Sequence, residues 1–143
     1  MYIAVDFDGT IVEHKYPHIG KEIPFATATL RRLQEDGHKV VLWSVREGKL
    51  LDEAVEWCAQ HGVNLYAANK EFPEETIETR HYSRKLKADV FIDDRNLGGL
   101  PTLGGKPDWG AIYEMITKRI TAEQFYTTND EEAPKQKKGW WPF

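Results

Sequence analysis

The sequence predicts an α/β protein built around a mostly parallel sheet. Short apolar runs that suit buried strands alternate with longer stretches in which apolar residues recur every three or four positions, as on one face of a helix. Such alternation is typical of parallel strands joined by crossover helices. The length of 143 residues allows one domain with a single core, so we expect no second folding unit.

The first half of the chain contains three predicted strands and two predicted helices. The strands cover residues 2–5, 39–43 and 63–67. A polar connection, residues 13–23, leads to the first helix, which begins near Pro24 and ends at Gly37. The second helix ends at Gly62, because glycine commonly follows the last turn of a helix. The apolar side chains that these helices should bury are Ala26, Leu30, Leu33, Leu51, Ala54, Val55 and Cys58.

The second half of the chain is less regular. A fourth strand is predicted over residues 89–92, after a segment, residues 69–84, in which a helix could begin at Glu74. Residues 96–106 carry four glycines and one proline and should form a loop. Asp108 is the expected N-cap of a final helix. The apolar stripe of this helix is Trp109, Ile112, Tyr113, Ile116 and Ile120.

Composition and charge restrict the classes of function. The formal net charge of -4 and the isoelectric point near 5.7 argue against attraction to a nucleic-acid backbone. Cys58 is the single cysteine, which excludes an internal disulfide. The N-terminus lacks the pattern of a signal peptide, and no apolar run is long enough for a transmembrane segment. We therefore expect a soluble, cytoplasmic protein.

Polar side chains follow three of the predicted strands at the point where each strand ends. In open parallel sheets the crevice beyond the carboxyl ends of the strands is where ligands bind, so these side chains should meet there. They are Asp6 and Asp8, Ser44 and Arg46, and Asp93 and Asp94.

The segment after the first strand, Asp6-Phe7-Asp8-Gly9-Thr10, carries the most specific signal. Two carboxylates one residue apart can converge on one metal ion and one electrophile. Asp6 can attack a phosphorus atom as a nucleophile, and Asp8 can pass a proton to or from the leaving group or water. A simple turn at Asp8-Gly9 is the alternative, and the polar residues at the other strand ends argue against it. These residues indicate an enzyme of phosphate chemistry.

The same residues resemble the motifs of the haloacid dehalogenase (HAD) superfamily of phosphohydrolases. Residues 5–10 match its first motif in full. Residues 42–44 resemble its second motif, a strand that ends in Thr or Ser, and residues 91–94 resemble its fourth, in which acidic residues hold Mg²⁺. The third motif is a lysine upstream of the last strand, for which Lys85 is the better candidate and Lys87 the alternative.

The resemblance covers residues 1–120 and implies a Rossmann-like three-layer sandwich. Members that act on small metabolites usually carry a cap domain, inserted after the first motif or between the second and the third. Only residues 11–39 and 45–84 lie at these places, and each must also supply core helices, so we expect no sizeable cap domain. The site should therefore be open, with a lip formed by the polar connection. The expected lip residues are His14, Lys15, Tyr16 and His18.

The activity that the resemblance implies is Mg²⁺-dependent hydrolysis of a phosphomonoester through an aspartyl-phosphate on Asp6. The implied catalytic residues are Asp6, Asp8, Ser44 and Lys85. The implied substrate-binding residues are Phe7, Gly9 and Arg46. The implied Mg²⁺ ligands are Asp6, Asp8 through its backbone carbonyl, Asp93 and Asp94. A surface ion pair with Glu47 or Asp52 is an equally good interpretation of Arg46.

Two other functions fit parts of the pattern. A phosphotransferase would use the same chemistry, and the missing cap domain counts against it. A phosphate-sensing module without turnover would also combine parallel strands with clustered acids. Receiver domains, however, place their acidic pair after the first strand, whereas Asp93 and Asp94 follow the last. The expected substrate is a phosphorylated small molecule or a phosphorylated macromolecule.

Residues 121–143 form a predicted C-terminal extension that the resemblance does not cover. The extension ends in a basic stretch, followed by aromatic residues in the segment 140–143. Such an end could contact an anionic membrane surface or a neighbouring subunit of a homo-oligomer, and a frayed or self-docking terminus is the alternative. The basic residues are Lys135, Lys137 and Lys138.

Overall fold

A computed structural model describes residues 1–79 and 83–118 of the chain. In chain order its elements are β1 (Tyr2–Val5), α1 (Ala26–Glu35), β2 (Lys39–Leu42), α2 (Gly48–Gln60), β3 (Ala67–Ala68), β4 (Val90–Ile92), β5 (Thr102–Leu103), β6 (Lys106–Pro107) and α3 (Trp109–Lys118). The predictions for Ile120 and for the extension 121–143 lie outside the described residues.

The central sheet has four parallel strands in the spatial order β3-β2-β1-β4. β1 lies inside the sheet, where Ile3 is opposite Val40 of β2 and Val90 of β4. Since neighbouring strands run in the same direction, their carboxyl ends share one edge. The predicted α/β class, a Rossmann-like arrangement of a parallel sheet flanked by helices, is confirmed.

Successive side chains of β1 and β2 point to opposite faces of the sheet, and each face has its own cluster of buried side chains. The larger cluster combines Ile3 and Val5 with side chains from all three helices. The smaller cluster consists of Ala4, Val41, Ala67 and Leu86. Five of the seven predicted helix residues are buried, and Leu51 and Val55 are partly buried against the larger cluster. The predicted apolar faces are therefore the faces that the helices bury.

Glycine ends the first two helices as predicted. At the end of α1, the N–H of Gly37 donates to the carbonyl of Gln34, and the N–H of His38 donates to that of Leu33. Gly37 has a φ of 93°, which suits glycine because it lacks a Cβ. None of the helices within residues 1–79 and 83–118 is long and apolar enough to cross a bilayer.

Three element predictions need correction. The possible helix from Glu74 is absent from the described residues 69–79, which form turns and irregular backbone. The third strand is Ala67–Ala68 rather than residues 63–67, because Val63 belongs to the end of α2: its N–H donates to the carbonyl of Cys58 at 2.9 Å. The glycine-rich segment predicted as loop contains the antiparallel hairpin β5–β6. Gly104 and Gly105, both at positive φ, supply its two-residue turn.

Helix α3 is attached to the loop after β1 through Trp109. The carboxylate of Asp108 accepts a hydrogen bond from the N–H of Ala111 at 3.1 Å, which is the predicted N-cap. Trp109 is 1% exposed, and its indole N–H donates to the carbonyl of Thr10 at 3.0 Å. This bond fixes the loop after β1, residues 6–12, which we call the acidic loop, against the helix.

Trp109→Phe is expected to lower the free energy of unfolding by about 1–3 kcal/mol, because it removes a buried hydrogen bond and leaves space around a smaller ring. Urea denaturation followed by circular dichroism measures the change. Trp57→Phe is the control, since Trp57 is partly buried and its indole N–H donates no hydrogen bond within the described part of the chain. Equal losses for the two variants would contradict the role of the Trp109 bond.

Candidate active site

Three carboxylates meet at the carboxyl edge of the sheet. Asp6 follows β1, and Asp93 and Asp94 follow the neighbouring strand β4. Each of the three offers a carboxylate oxygen, and these oxygens lie within 4.8 Å of one another. All three residues are half-buried. The parallel pairing of β1 with β4 therefore concentrates negative charge at one point, as the sequence analysis expected.

The crowding changes the titration of Asp6. Burial raises the pKa of its carboxyl from 3.8 to about 7, and the negative charge of Asp93 and a hydrogen bond with Asp94 contribute in the same direction. The backbone N–H of Phe7 offsets part of this rise in pKa. An ionised Asp6 beside two other carboxylates is thus unfavourable unless a cation is near.

The donor set of this cluster fits a hard divalent cation. Magnesium prefers oxygen ligands, and carboxylates bind it through charge as well as coordination. Asp6, Asp93 and Asp94 could hold such an ion together. The carboxylate of Asp8 is turned to a different partner, so only its backbone carbonyl is left as the ligand that the sequence analysis assigned to it.

The hydroxyl of Thr10 organises the acidic cluster. It lies 3.3 Å from an Asp6 oxygen and 3.1 Å from an Asp94 oxygen, and it accepts a hydrogen bond from the backbone N–H of Asp94 at 3.2 Å. The side chain is fully buried. Sequence analysis did not assign Thr10 a place in the site, although the signal was present, since Thr10 is the last residue of the first motif.

Gly9 is required by the close approach of two loops. It adopts a φ of 86°, and a Cβ at this position would lie 2.6 Å from Oδ2 of Asp94. Its backbone N–H donates to the carbonyl of Val12 at 2.8 Å. Gly9 thus leaves room for the carboxylate of Asp94, and its expected contact with substrate stays a prediction.

Asp8 and Arg46 form a buried ion pair. Nε of Arg46 lies 2.7 Å from Oδ2 of Asp8, and Nη2 lies 2.8 Å from Oδ1. Arg46 has no exposed surface, and the hydrogen bond to Asp8 raises the pKa of the guanidinium. The interpretation of Arg46 as a surface ion pair with Glu47 or Asp52 is wrong, because a fully buried guanidinium needs a buried anion as its partner.

The loop after β2 is held by Asn69, a residue that sequence analysis missed. The side-chain oxygen of Asn69 accepts from the N–H of Ser44 at 2.8 Å, and its amide donates to the carbonyls of Ser44 and Arg46 at 2.9 and 3.1 Å. Ser44 Oγ accepts from the N–H of Arg46, which leaves its own O–H available to a ligand. Polar residues that directly follow a strand were the signal for the other site residues, and Asn69 carries the same signal because it directly follows β3.

The candidate lysines do not join the acidic cluster in this structure. Lys85 is exposed, and its ammonium lies 5.8 Å from the ring centre of Phe91. No carboxylate of the described residues lies within ion-pair distance of Lys85 or Lys87. Lys87 is also exposed, and its backbone N–H donates to Glu71 at 3.0 Å. The geometry therefore does not choose between the two lysines.

The remaining predicted residues lie around the site. Phe7 is fully buried, and its ring packs edge-on against Trp57, so only its backbone could reach a ligand. The lip loop, residues 13–23, connects the acidic loop to α1. The carbonyls of Pro17 and His18 in this loop accept hydrogen bonds from Arg46. The expected lip residues His14, Lys15, Tyr16 and His18 are all exposed.

Fold and site together define an α/β protein with a carboxylate-rich site at the carboxyl edge of a parallel sheet. A solved structure of a conserved protein from Bacteroides thetaiotaomicron is 61% identical to the chain, with a TM-score of 0.79. The match covers 88% of this chain and 97% of that protein. The chain belongs to the same family as this conserved protein.

A curated relative is more distant. A protein of Bacillus cereus that carries the name "Putative nucleotidase" is 26% identical over 84 residues. The match covers 59% of this chain, and the chain spans 44% of the length of that relative. No family model matches the chain.

Proposed function

We propose that the protein is a Mg²⁺-dependent phosphomonoester hydrolase of the HAD superfamily, with Asp6 as its nucleophile. The observation that carries the proposal is the cluster of Asp6, Asp93 and Asp94 at the end of neighbouring strands. The match of residues 5–10 to the first HAD motif supports it. The similarity to the Bacillus relative gives weak support to a hydrolase of phosphate esters.

The first chemical step is attack by Asp6. One oxygen of its carboxylate bonds to phosphorus while the bond between phosphorus and the ester oxygen breaks, and the leaving oxygen takes up a proton. A bound Mg²⁺, held by Asp6, Asp93 and Asp94, would neutralise the charge that otherwise repels a carboxylate from a phosphate dianion. The hydroxyl of Ser44 donates to a phosphoryl oxygen as negative charge spreads over it.

The second step restores the enzyme. Water attacks phosphorus of the aspartyl-phosphate, phosphate leaves, and the carboxylate of Asp6 is regenerated. Asp8 must carry a proton when substrate binds; it donates this proton to the leaving oxygen in the first step, and the carboxylate that remains accepts the proton of the attacking water in the second. Lys85 offsets negative charge once substrate is bound, which requires it to leave the ring of Phe91.

Nucleoside monophosphates are the first substrates to test, because the Bacillus relative is named a nucleotidase. An aryl phosphate serves as a general probe of phosphatase activity. Phosphate release is measured with and without Mg²⁺ for the native chain, for Asp6→Asn and for Asp52→Asn, a control at an exposed carboxylate on α2. We expect Mg²⁺-dependent release by the native chain and by Asp52→Asn, and a loss of at least about 1,000-fold in Asp6→Asn.

Other results would favour the other functions. Transfer of the phosphoryl group to an added alcohol, in preference to water, would make the protein a phosphotransferase. Binding of Mg²⁺ without turnover of any tested phosphate would favour a phosphate-sensing module or a macromolecular substrate. Equal activity in the native chain and in Asp6→Asn would contradict the role of Asp6.

Gly9→Ala is expected to weaken Mg²⁺ binding at least about tenfold and to lower the free energy of unfolding by about 1–3 kcal/mol. The new Cβ would displace the carboxylate of Asp94, which lies 2.6 Å away. Calorimetric titration with Mg²⁺ and urea denaturation measure the two effects. Gly98→Ala is a matched control, since Gly98 has a similar φ of 84° but nothing within 4 Å of an added Cβ. Equal Mg²⁺ affinities in the two variants would contradict the expected displacement.

A further inference from the structure

The guanidinium of Arg46 uses all five of its N–H donors. Nε donates to Asp8 at 2.7 Å, and Nη2 donates to Asp8 at 2.8 Å and to the carbonyl of His18 at 3.1 Å. Nη1 lies 3.2 Å from the carbonyl of Pro17 and 3.4 Å from that of Leu50. An arginine side chain has five such donors, so none is left for a substrate.

Through these bonds one side chain joins three segments of the chain. Asp8 belongs to the acidic loop, Pro17 and His18 to the lip loop, and Leu50 to the first turn of α2. The rings of Phe7 and Tyr16 each lie 5.3 Å from Cζ of the guanidinium, so aromatic faces add to its fixation. A lysine could not reproduce this arrangement, because it offers three donors on a single nitrogen instead of a planar fork.

The pairing fixes the orientation of Asp8. Both of its carboxylate oxygens are bonded to Arg46, and its carboxylate is not a member of the acidic cluster. Proton transfer to a leaving group at Asp6 requires one of these oxygens to face the phosphoryl group. The two bonds to Arg46 hold Asp8 in one orientation. During turnover one of them must therefore break, so that an Asp8 oxygen can face the phosphoryl group.

We propose that Arg46 is a positioning residue that couples the orientation of Asp8 to the position of the lip loop. Because the same guanidinium holds Asp8 and two lip carbonyls, displacement of the lip by a bound substrate changes the bonds to Asp8 as well. This proposal rests on the proposed function in so far as Asp8 transfers a proton. It replaces the expectation that Arg46 itself contacts the substrate.

The kinetic test is a double-mutant cycle of Asp8→Asn and Arg46→Lys on the native chain background. Arg46→Lys is expected to lower kcat at least tenfold while KM changes less than threefold. If Arg46 acts through Asp8, Arg46→Lys should have no further effect on kcat when Asp8 is already Asn. Arg32→Lys, at an exposed ion pair with Asp36, is the control and should match the native chain.

Two kinetic results would overturn the proposal. A raised KM with unchanged kcat for Arg46→Lys would mean that Arg46 binds substrate directly. If the fold-loss of kcat in the double variant equals the product of the losses in the two single variants, Arg46 acts independently of Asp8. Circular dichroism confirms that each variant is folded. If Arg46→Lys does not fold, Tyr16→Ala takes its place in the cycle, because the Tyr16 ring lies 5.3 Å from the guanidinium and the residue is 45% exposed.

A second measurement does not depend on activity. Trypsin can cut the lip loop after Lys15, which is exposed, and the rate of this cut reports release of the lip. Asp8→Asn and Arg46→Lys should each raise the rate at least fivefold, and Arg32→Lys should leave it unchanged. An unchanged rate in Asp8→Asn would overturn the coupling. If the native chain hydrolyses no phosphate ester, the proposed function fails. The rates of trypsin cleavage still decide whether Asp8 and the lip loop are linked.

Discussion

Asp6→Asn is expected to raise the thermal stability of the metal-free protein at pH 8 while it abolishes phosphate release. The carboxyl of Asp6 has a pKa of about 7 in the folded chain, against 3.8 for the ordinary group. The folded state thus holds its proton more tightly than the unfolded state does. The full difference of about three units corresponds to about 4 kcal/mol, and solvent around this half-buried group reduces the expected gain to on the order of 2 kcal/mol.

The gain in stability should depend on pH. Well below pH 3.8, Asp6 is protonated in both the folded and the unfolded chain, so native protein and Asp6→Asn should show the same melting temperature. As pH rises through 3.8 towards 7, the unfolded chain ionises first, so this group increasingly destabilises the native protein. At pH 8 the variant should melt roughly 4–8 °C higher. Saturating Mg²⁺ should make the native chain melt at the higher temperature, because bound Mg²⁺ stabilises the folded state and Asp6→Asn lacks one of the three carboxylates proposed to bind it.

Differential scanning calorimetry from pH 4 to pH 8, with Mg²⁺ or with a chelator, measures these effects. Asp52→Asn is the control, since Asp52 is exposed on α2. A lower melting temperature for Asp6→Asn than for the native chain at pH 8 without metal would contradict the crowding of carboxylates. The activity assay on the same samples tests the nucleophile separately.

Arg46→Met is expected to lower the free energy of unfolding by about 3–5 kcal/mol, the largest stability loss that we predict. The substitution leaves the Asp8 carboxylate buried without a counter-charge and removes the donors of three backbone carbonyls. Urea denaturation with an unchanged m-value measures the loss.

Two further variants separate charge from packing at this pair. Arg32→Met breaks an exposed ion pair with Asp36 and should cost less than about 1 kcal/mol. Asp8→Leu combined with Arg46→Met removes both buried charges and should be more stable than Arg46→Met alone. If Arg46→Met costs no more than Arg32→Met, the pair does not stabilise the fold as its burial indicates.

The sequence was sufficient to predict where β1 and β4 end, because the hydrophobic pattern locates these two strands and parallel pairing brings their carboxyl ends together. Asp6, Asp93 and Asp94 lie together at one edge of the sheet for this reason. The sequence also predicted the buried faces of α1 and α2 and the capping role of Asp108. These features depend on local pattern and on a general rule of topology.

Features that depend on long-range pairing were not predictable in the same way. The partner of Arg46 is 38 positions earlier in the chain, and both Glu47 and Asp52 were nearer in sequence. Asn69 holds the Ser44 loop from 25 positions away. Side chains at such separations meet only after the sheet order is fixed, and burial then selects the partner. The same limit applies to Lys85, whose ammonium lies near the ring of Phe91 and not at the carboxylates.

The attachment of the lip loop to the body of the protein has a consequence for how this family can diversify. Arg46 holds the lip through the main-chain carbonyls of Pro17 and His18, which every amino acid supplies. Substitutions of exposed lip side chains other than Tyr16, whose ring lies against the guanidinium, therefore leave these hydrogen bonds in place. The recognition surface of the lip can therefore change, in evolution or by protein engineering, while the ion pair of Asp8 and Arg46 stays the same.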